Sequence, residues 1–130
     1  MLTEADLAQF CGTENYYQHW LKRFVYTDGV KYLADEGGAH WLLDAIASHQ
    51  TRNLLSDPML QEIQFWELEV NENNSAVLRC LRDTDDVALT QEIELTNFPL
   101  NVIKLYLVRD SVGDPDSSRV TRVLMLPSEY

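Results

Sequence analysis

His40, Asp44 and Ser48 fall four residues apart in the stretch GGAHWLLDAIASHQ (residues 37–50), so a helix here carries an imidazole, a carboxylate and a hydroxyl along one stripe. Those are the parts of a hydrolytic triad, in which the imidazole takes the hydroxyl proton while the carboxylate orients the ring. The order is wrong for that chemistry. A triad needs its histidine between acid and nucleophile, and here the aspartate is the middle member. The stripe is therefore expected to be a polar helix face with a supporting i, i+4 contact between His40 and Asp44, and no catalytic residue is assigned. Metal chemistry has no better footing. His40 and His49 point to nearly opposite sides of a helix, His19 lies on another element, and no H-x-x-x-H, H-E-x-x-H or C-x-x-C spacing occurs. Without a G-x-G-x-x-G or a G-x-x-x-x-G-K-[ST] stretch, nothing in the chain points to a nucleotide, so neither a metal nor another cofactor is expected.

Two constellations suit binding rather than catalysis. Glu67, Glu69, Glu92 and Glu94 occupy alternating positions of expected strands, so one sheet face would carry a set of carboxylates able to meet a basic partner. The simpler alternative is the solvated side of a half-buried sheet. Tyr16, Tyr17, Trp20, Phe24 and Tyr26 form an aromatic cluster, of which Tyr17 and Trp20 are candidates for an interface or pocket, because such rings offer large contact area with a polar tip. Core packing is the competing use.

The elements that would position these residues follow from pattern. Thr3 followed by Glu-Ala-Asp is close to a capping box and predicts a helix from residue 4 to 10, ended by Gly12. Tyr17, Trp20, Leu21 and Phe24 fall at i, i+3, i+4 and i+7 and predict a short helix at 14–20. Asp28-Gly29, flanked by aromatic and β-branched residues, predicts a hairpin over 22–33 with a tight turn. A longer helix over 39–50 should bury Trp41, Leu42, Ala45 and Ile46, and Ser56 or Asp57 with Pro58 starts a further short turn. From Ile63 the period becomes two. Trp66, Leu68 and Val70, then Ala76, Leu78 and Cys80, then Val87, Leu89, Ile93 and Leu95 predict a three-stranded antiparallel meander with Glu67 opposite Arg79. NVIKLYLV and RVTRVLML read as two more strands, joined by the loop-like RDSVGDPDSS.

Composition bounds the function. The 130 residues, 45% hydrophobic, suffice for one domain with a core of its own. Cys11 and Cys80 have no partners at metal spacing and read as reduced thiols. A net charge of −11 disfavours binding to nucleic-acid phosphates or anionic membranes. The opening MLTEADLAQF is unlike a signal peptide and no apolar run is long enough to span a bilayer, so a soluble, cytoplasmic protein is expected.

The blocks GTENYYQHWL, YTDGVKYLADEGGAHWLLDAIASHQ, DPMLQEIQFWELEV and LPSEY resemble a family of small bacterial proteins of unknown function, mainly cyanobacterial. The resemblance spans nearly the whole chain and implies a bacterial, intracellular single domain, with no activity, cofactor or site residue attached. The expectation is thus an α+β domain over 1–130, a predominantly antiparallel sheet with N-terminal helices on one face. Its expected role is that of a non-enzymatic binding or accessory protein working through protein contacts, by the acidic sheet face or the aromatic patch. A small enzyme or small-molecule binder with a pocket between the 39–50 helix and the sheet is the alternative. A set of pocket groups with shifted pKa values would favour the enzyme.

Overall fold

Three helix starts in this chain are fixed by side chains that satisfy first-turn amides. In the computed structural model, which describes residues 2–110 and 121–130, Thr3 caps α1 (Glu4–Ala8). Its hydroxyl accepts from the Asp6 amide at 3.2 Å, and the Asp6 carboxylate accepts from the Thr3 amide at 3.0 Å. Thr27 caps α2 (Asp28–Glu36), and Asp57 caps α4 (Pro58–Glu62), whose proline fills a position that needs no amide proton. Between them lies α3 (His40–Ser48), with a 3-10 turn at Leu54–Ser56.

Seven strands form one sheet: β1 (Tyr16–Gln18), β2 (Val25–Thr27), β3 (Ile63–Val70), β4 (Ala76–Asp83), β5 (Asp86–Ile93), β6 (Val102–Asp110) and β7 (Thr121–Met125). The order is β1-β2-β7-β6-β3-β4-β5, and β2–β7 is the one parallel pairing among the described strands. The fold is α+β and the sheet is mostly antiparallel, in line with the sequence. Within the β3–β4–β5 meander, Trp66 lies opposite Cys80, Leu68 opposite Leu78, and Glu67 opposite Arg79. Cys80 and Leu81 pair with Leu89 and Val87, so Ala88 is an extra residue in β5. That bulge breaks the expected alternation. Val87 is exposed, as is Leu95 beyond the end of the strand, whereas Leu89 and Ile93 pack against the core.

Residues 14–36 depart most from expectation. The helix at 14–20 is instead β1, and the hairpin over 22–33 is β2 followed directly by α2. A hairpin does exist, but its turn spans residues 19–24, where Lys22 takes a positive φ of 59°. Asp28-Gly29 opens a helix rather than a turn. An aspartate in a first turn is favoured by the helix dipole. Gly29 fits because a Cβ there would lie 2.6 Å from Glu129 Oε1 and 2.7 Å from Leu126 Cδ1. The loop-like RDSVGDPDSS lies, apart from its first two residues, outside the described residues.

The buried face of α3 is Leu42, Leu43, Ile46 and Ala47; Trp41 and Ala45 are only partly buried at its margin. One pair of glutamines is sealed in the core. Gln50 and Gln64 exchange two amide hydrogen bonds of 2.8 Å, the Trp66 indole N–H donates to Gln64 Oε1 at 2.9 Å, and Gln64 also donates to the Leu60 carbonyl at 3.0 Å. Every polar atom of the pair has a partner, which such burial requires.

Candidate functional site

The His40–Asp44–Ser48 stripe does not assemble. Exposed His40 bonds to Asp35 at 2.8 Å, and the Ser48 hydroxyl donates back to the Ala45 carbonyl at 2.7 Å. Asp44 turns to the β1–β2 hairpin. Its Oδ1 accepts from His19 Nε2 at 2.8 Å and from the Trp20 indole N–H at 2.7 Å. The Leu21 amide donates to His19 Nδ1 at 3.1 Å, so that nitrogen is an acceptor and the ring proton sits on Nε2, facing Asp44. With both ring nitrogens engaged, this buried histidine has no free lone pair for base chemistry. What the arrangement does is clamp a turn. Arg23 adds a 2.6 Å bond to the Gln50 carbonyl at the end of α3, where a cation suits the helix dipole.

Trp20 stands out of this clamp with 71% of its surface exposed. Tyr17, three residues earlier in β1, is half-buried. Its hydroxyl donates to Asp28 Oδ1 at 2.9 Å, its ring stacks on Tyr26 at 5.6 Å, and the Lys31 ammonium lies 5.6 Å over its face. The bond to Asp28 pushes the phenol pKa up. Asp28 is held below the usual carboxylate range, first by the Glu14 amide and then by Tyr17. The aromatic cluster thus divides: Phe24 is core, Tyr17 braces the start of α2, and Trp20 is presented to solvent.

On the sheet, Glu67, Glu69 and Glu92 share the face opposite Trp66, while Glu94 lies just past β5. They are not a bare acidic row. Arg79 lies 3.8 Å from Glu67 and 3.4 Å from Glu69, and Lys104 of β6 is the cross-strand neighbour of Glu67. Glu92 faces only Val77 in register.

Two clefts adjoin α3. At its N-terminal end a cleft of about 790 Å³ lies between Trp41 and the segment leading out of β5. At the other end a cleft of about 460 Å³ holds His49, Asp57 and Arg82. These polar groups are already engaged. His49 Nε2 lies 2.6 Å from Gln91 Oε1, and the Arg82 guanidinium bonds both Asp57 and Asp86, drawing the Asp57 pKa down. Cys80 is buried and its thiol is pushed up to about 12 by burial, so it is no nucleophile. Among the described residues no three His, Cys, Asp or Glu side chains converge as metal ligands, and no helix is long and apolar enough to cross a membrane.

A family model described as a family of unknown function, DUF6876, matches residues 1–130. The chain belongs to that family. No curated protein and no solved structure matches it. DUF6876 membership therefore attaches no activity to any residue, and the local geometry must carry the functional reading. The Asp44 clamp left no trace in the sequence pattern, because its partners lie 25 and 24 residues away. Gln64 did leave one, since it holds an inward position of β3 in phase with Trp66 and Leu68.

Proposed function

We propose that this chain is a non-enzymatic binding or accessory protein of the bacterial cytoplasm that acts through protein contacts, with Trp20 as the anchor of its docking surface. The carrying observation is the combination of exposure and fixation at one residue. Trp20 presents most of its surface to solvent while its indole N–H is bonded to Asp44. A large ring held in place before contact loses little rotamer freedom on binding, which is how aromatic hot spots contribute affinity. Lys22 supports the same reading: a non-glycine residue in a left-handed conformation stores local strain to shape the turn. In this account the N-terminal helices pack on one face of the sheet, and the partly compensated glutamates Glu67, Glu69, Glu92 and Glu94 steer a basic partner rather than anchor it. The net charge of −11 argues against nucleic acid or an anionic membrane as partner.

The test is affinity capture from bacterial cytosol with wild-type and Trp20→Ala baits of matched melting temperature. Loss of a fixed aromatic anchor should weaken capture of a specific partner by about 2 kcal/mol, roughly thirtyfold. Identical recoveries with the two baits would remove Trp20 from the binding surface. A second reading, a small-molecule binder with its pocket between α3 and the sheet, is favoured by one observation, the open cleft beside Trp41.

A further inference from the structure

The cleft at the start of α3 differs in its charge from four other clefts of the described residues. Its apolar side is made by Trp41, Ile93, Leu95 and Phe98, and its polar groups are Asn74, Thr96 and Asn97. None of these ionises at any ordinary pH, in a chain with 21 acidic and 10 basic residues. Those four each contain a carboxylate: Glu67, Glu4, Asp57 or Glu92. At about 790 Å³ the α3 cleft is also larger than those four, and within the range of small-molecule sites.

Its walls are braced while its tips are free. The Thr96 amide donates to the Asn74 carbonyl at 2.7 Å, tying the β3–β4 turn to the segment after β5, and the Thr96 hydroxyl accepts from the Phe98 amide at 3.1 Å. Thr96 is thereby occupied. The side-chain amides of Asn74 and Asn97 and the Trp41 indole N–H have no hydrogen-bond partner among the described residues, so each can face a ligand. An amide offers a donor and an acceptor side by side, matching the complementary edge of another amide or of a heteroaromatic ring. A charged ligand would meet no counter-charge here and would lose hydration without compensation.

We propose that this cleft binds an uncharged planar molecule, lying against Trp41 with an amide or heteroaromatic edge turned to Asn74 and Asn97. The proposal rests on the small-molecule reading and is independent of docking through Trp20. Benzamide is the probe, with benzoate and benzamidinium as charged analogues of the same shape, titrated to about 10 mM, a range set by the modest efficiency of so small a ligand. Binding is read from the Trp41 Nε1–H and the Asn74 and Asn97 side-chain NH₂ resonances. Benzamide should move all three saturably, and both ions should bind about tenfold more weakly. Asn97→Ala, at an exposed loop position, should weaken benzamide by severalfold, whereas Leu95→Lys, at a residue 77% exposed, should turn the preference towards benzoate. Equal binding of all three probes would overturn the assigned ligand class while leaving a small-molecule site. No saturable shift with any probe would overturn the site as well.

Discussion

Replacing Gln64 by leucine, nearly isosteric, is the sharpest probe of the core. Gln64 is fully buried, and its side chain serves Gln50, Trp66 and the Leu60 carbonyl. Leucine would strand Gln50 Oε1 and the Trp66 indole N–H outright and take one of the two bonds made by Gln50 Nε2, which would keep only the Ile46 carbonyl. Gln50 is 2% exposed and Trp66 1%, so water cannot easily replace the lost partner. At about 1–3 kcal/mol for each stranded group, the single variant should lose roughly 3–5 kcal/mol. The double variant Gln50→Leu, Gln64→Leu removes both amides and leaves mainly the indole N–H unpaired, so it should be more stable than the sum of the singles by well over about 1 kcal/mol. Urea unfolding with unchanged m-values is the assay. A loss below about 1 kcal/mol for Gln64→Leu, or strict additivity in the double variant, would show that the amide pair is not closed as described.

Ile46→Ala, at a fully buried position of α3, should cost roughly 2–4 kcal/mol in the same assay, and a midpoint equal to wild type would place that face in solvent. Gly29→Ala should cost about 1–3 kcal/mol because its Cβ would meet Glu129 Oε1 and Leu126 Cδ1, and because Glu129 also accepts from Thr27, Gly29 and Leu126, the double variant with Glu129→Ala should lose less than the sum of the two singles. Asp28, Asp35 and Asp57 are each held below the ordinary carboxyl value of 3.8: Asp28 first by the Glu14 amide, Asp35 by Lys31 and Asp57 by Arg82. A depressed folded pKa contributes stability that is fully present above 3.8 and is lost as pH falls through the lower folded value. From these three groups, then, thermal melts should hold level from neutral pH to about 4 and fall below it. Asp28→Asn should flatten that fall, and an unaltered acid profile would contradict the role of its amide bonds.

The parts of the fold legible in the sequence are those set by neighbours. The β3–β4 register follows from Trp66, Leu68 and Val70 alternating with Glu67 and Glu69 across a short turn, and the α1 cap needs only Thr3 and Asp6. α3 was equally readable, although Leu43 and Ala47 rather than Trp41 and Ala45 complete its buried face. Asp28-Gly29 was not, because the same two residues suit a hairpin turn and a helix start. What decides between them is distant: Thr27 donates to Glu129 Oε1 at 2.6 Å, and β2 runs parallel to β7. Likewise His19, Trp20 and Asp44 meet only after β1, β2 and α3 are in place, and no local pattern marks them. The acidic face was half legible. Its register was readable, but Lys104, which offsets Glu67, comes from a strand 37 residues later.

Trp20 as an anchor fixed before its partner arrives is the central claim, and the motion of its indole N–H tests it most directly. In the free protein, ¹⁵N relaxation at Trp20 Nε1 should give an order parameter close to that of rigid backbone, about 0.85, despite the exposure of the ring. Asp44→Ala should release it towards the flexible range. A wild-type value below about 0.6, or one that Asp44→Ala leaves unchanged, would mean that the clamp does not hold the ring and that Trp20 is an ordinary surface side chain.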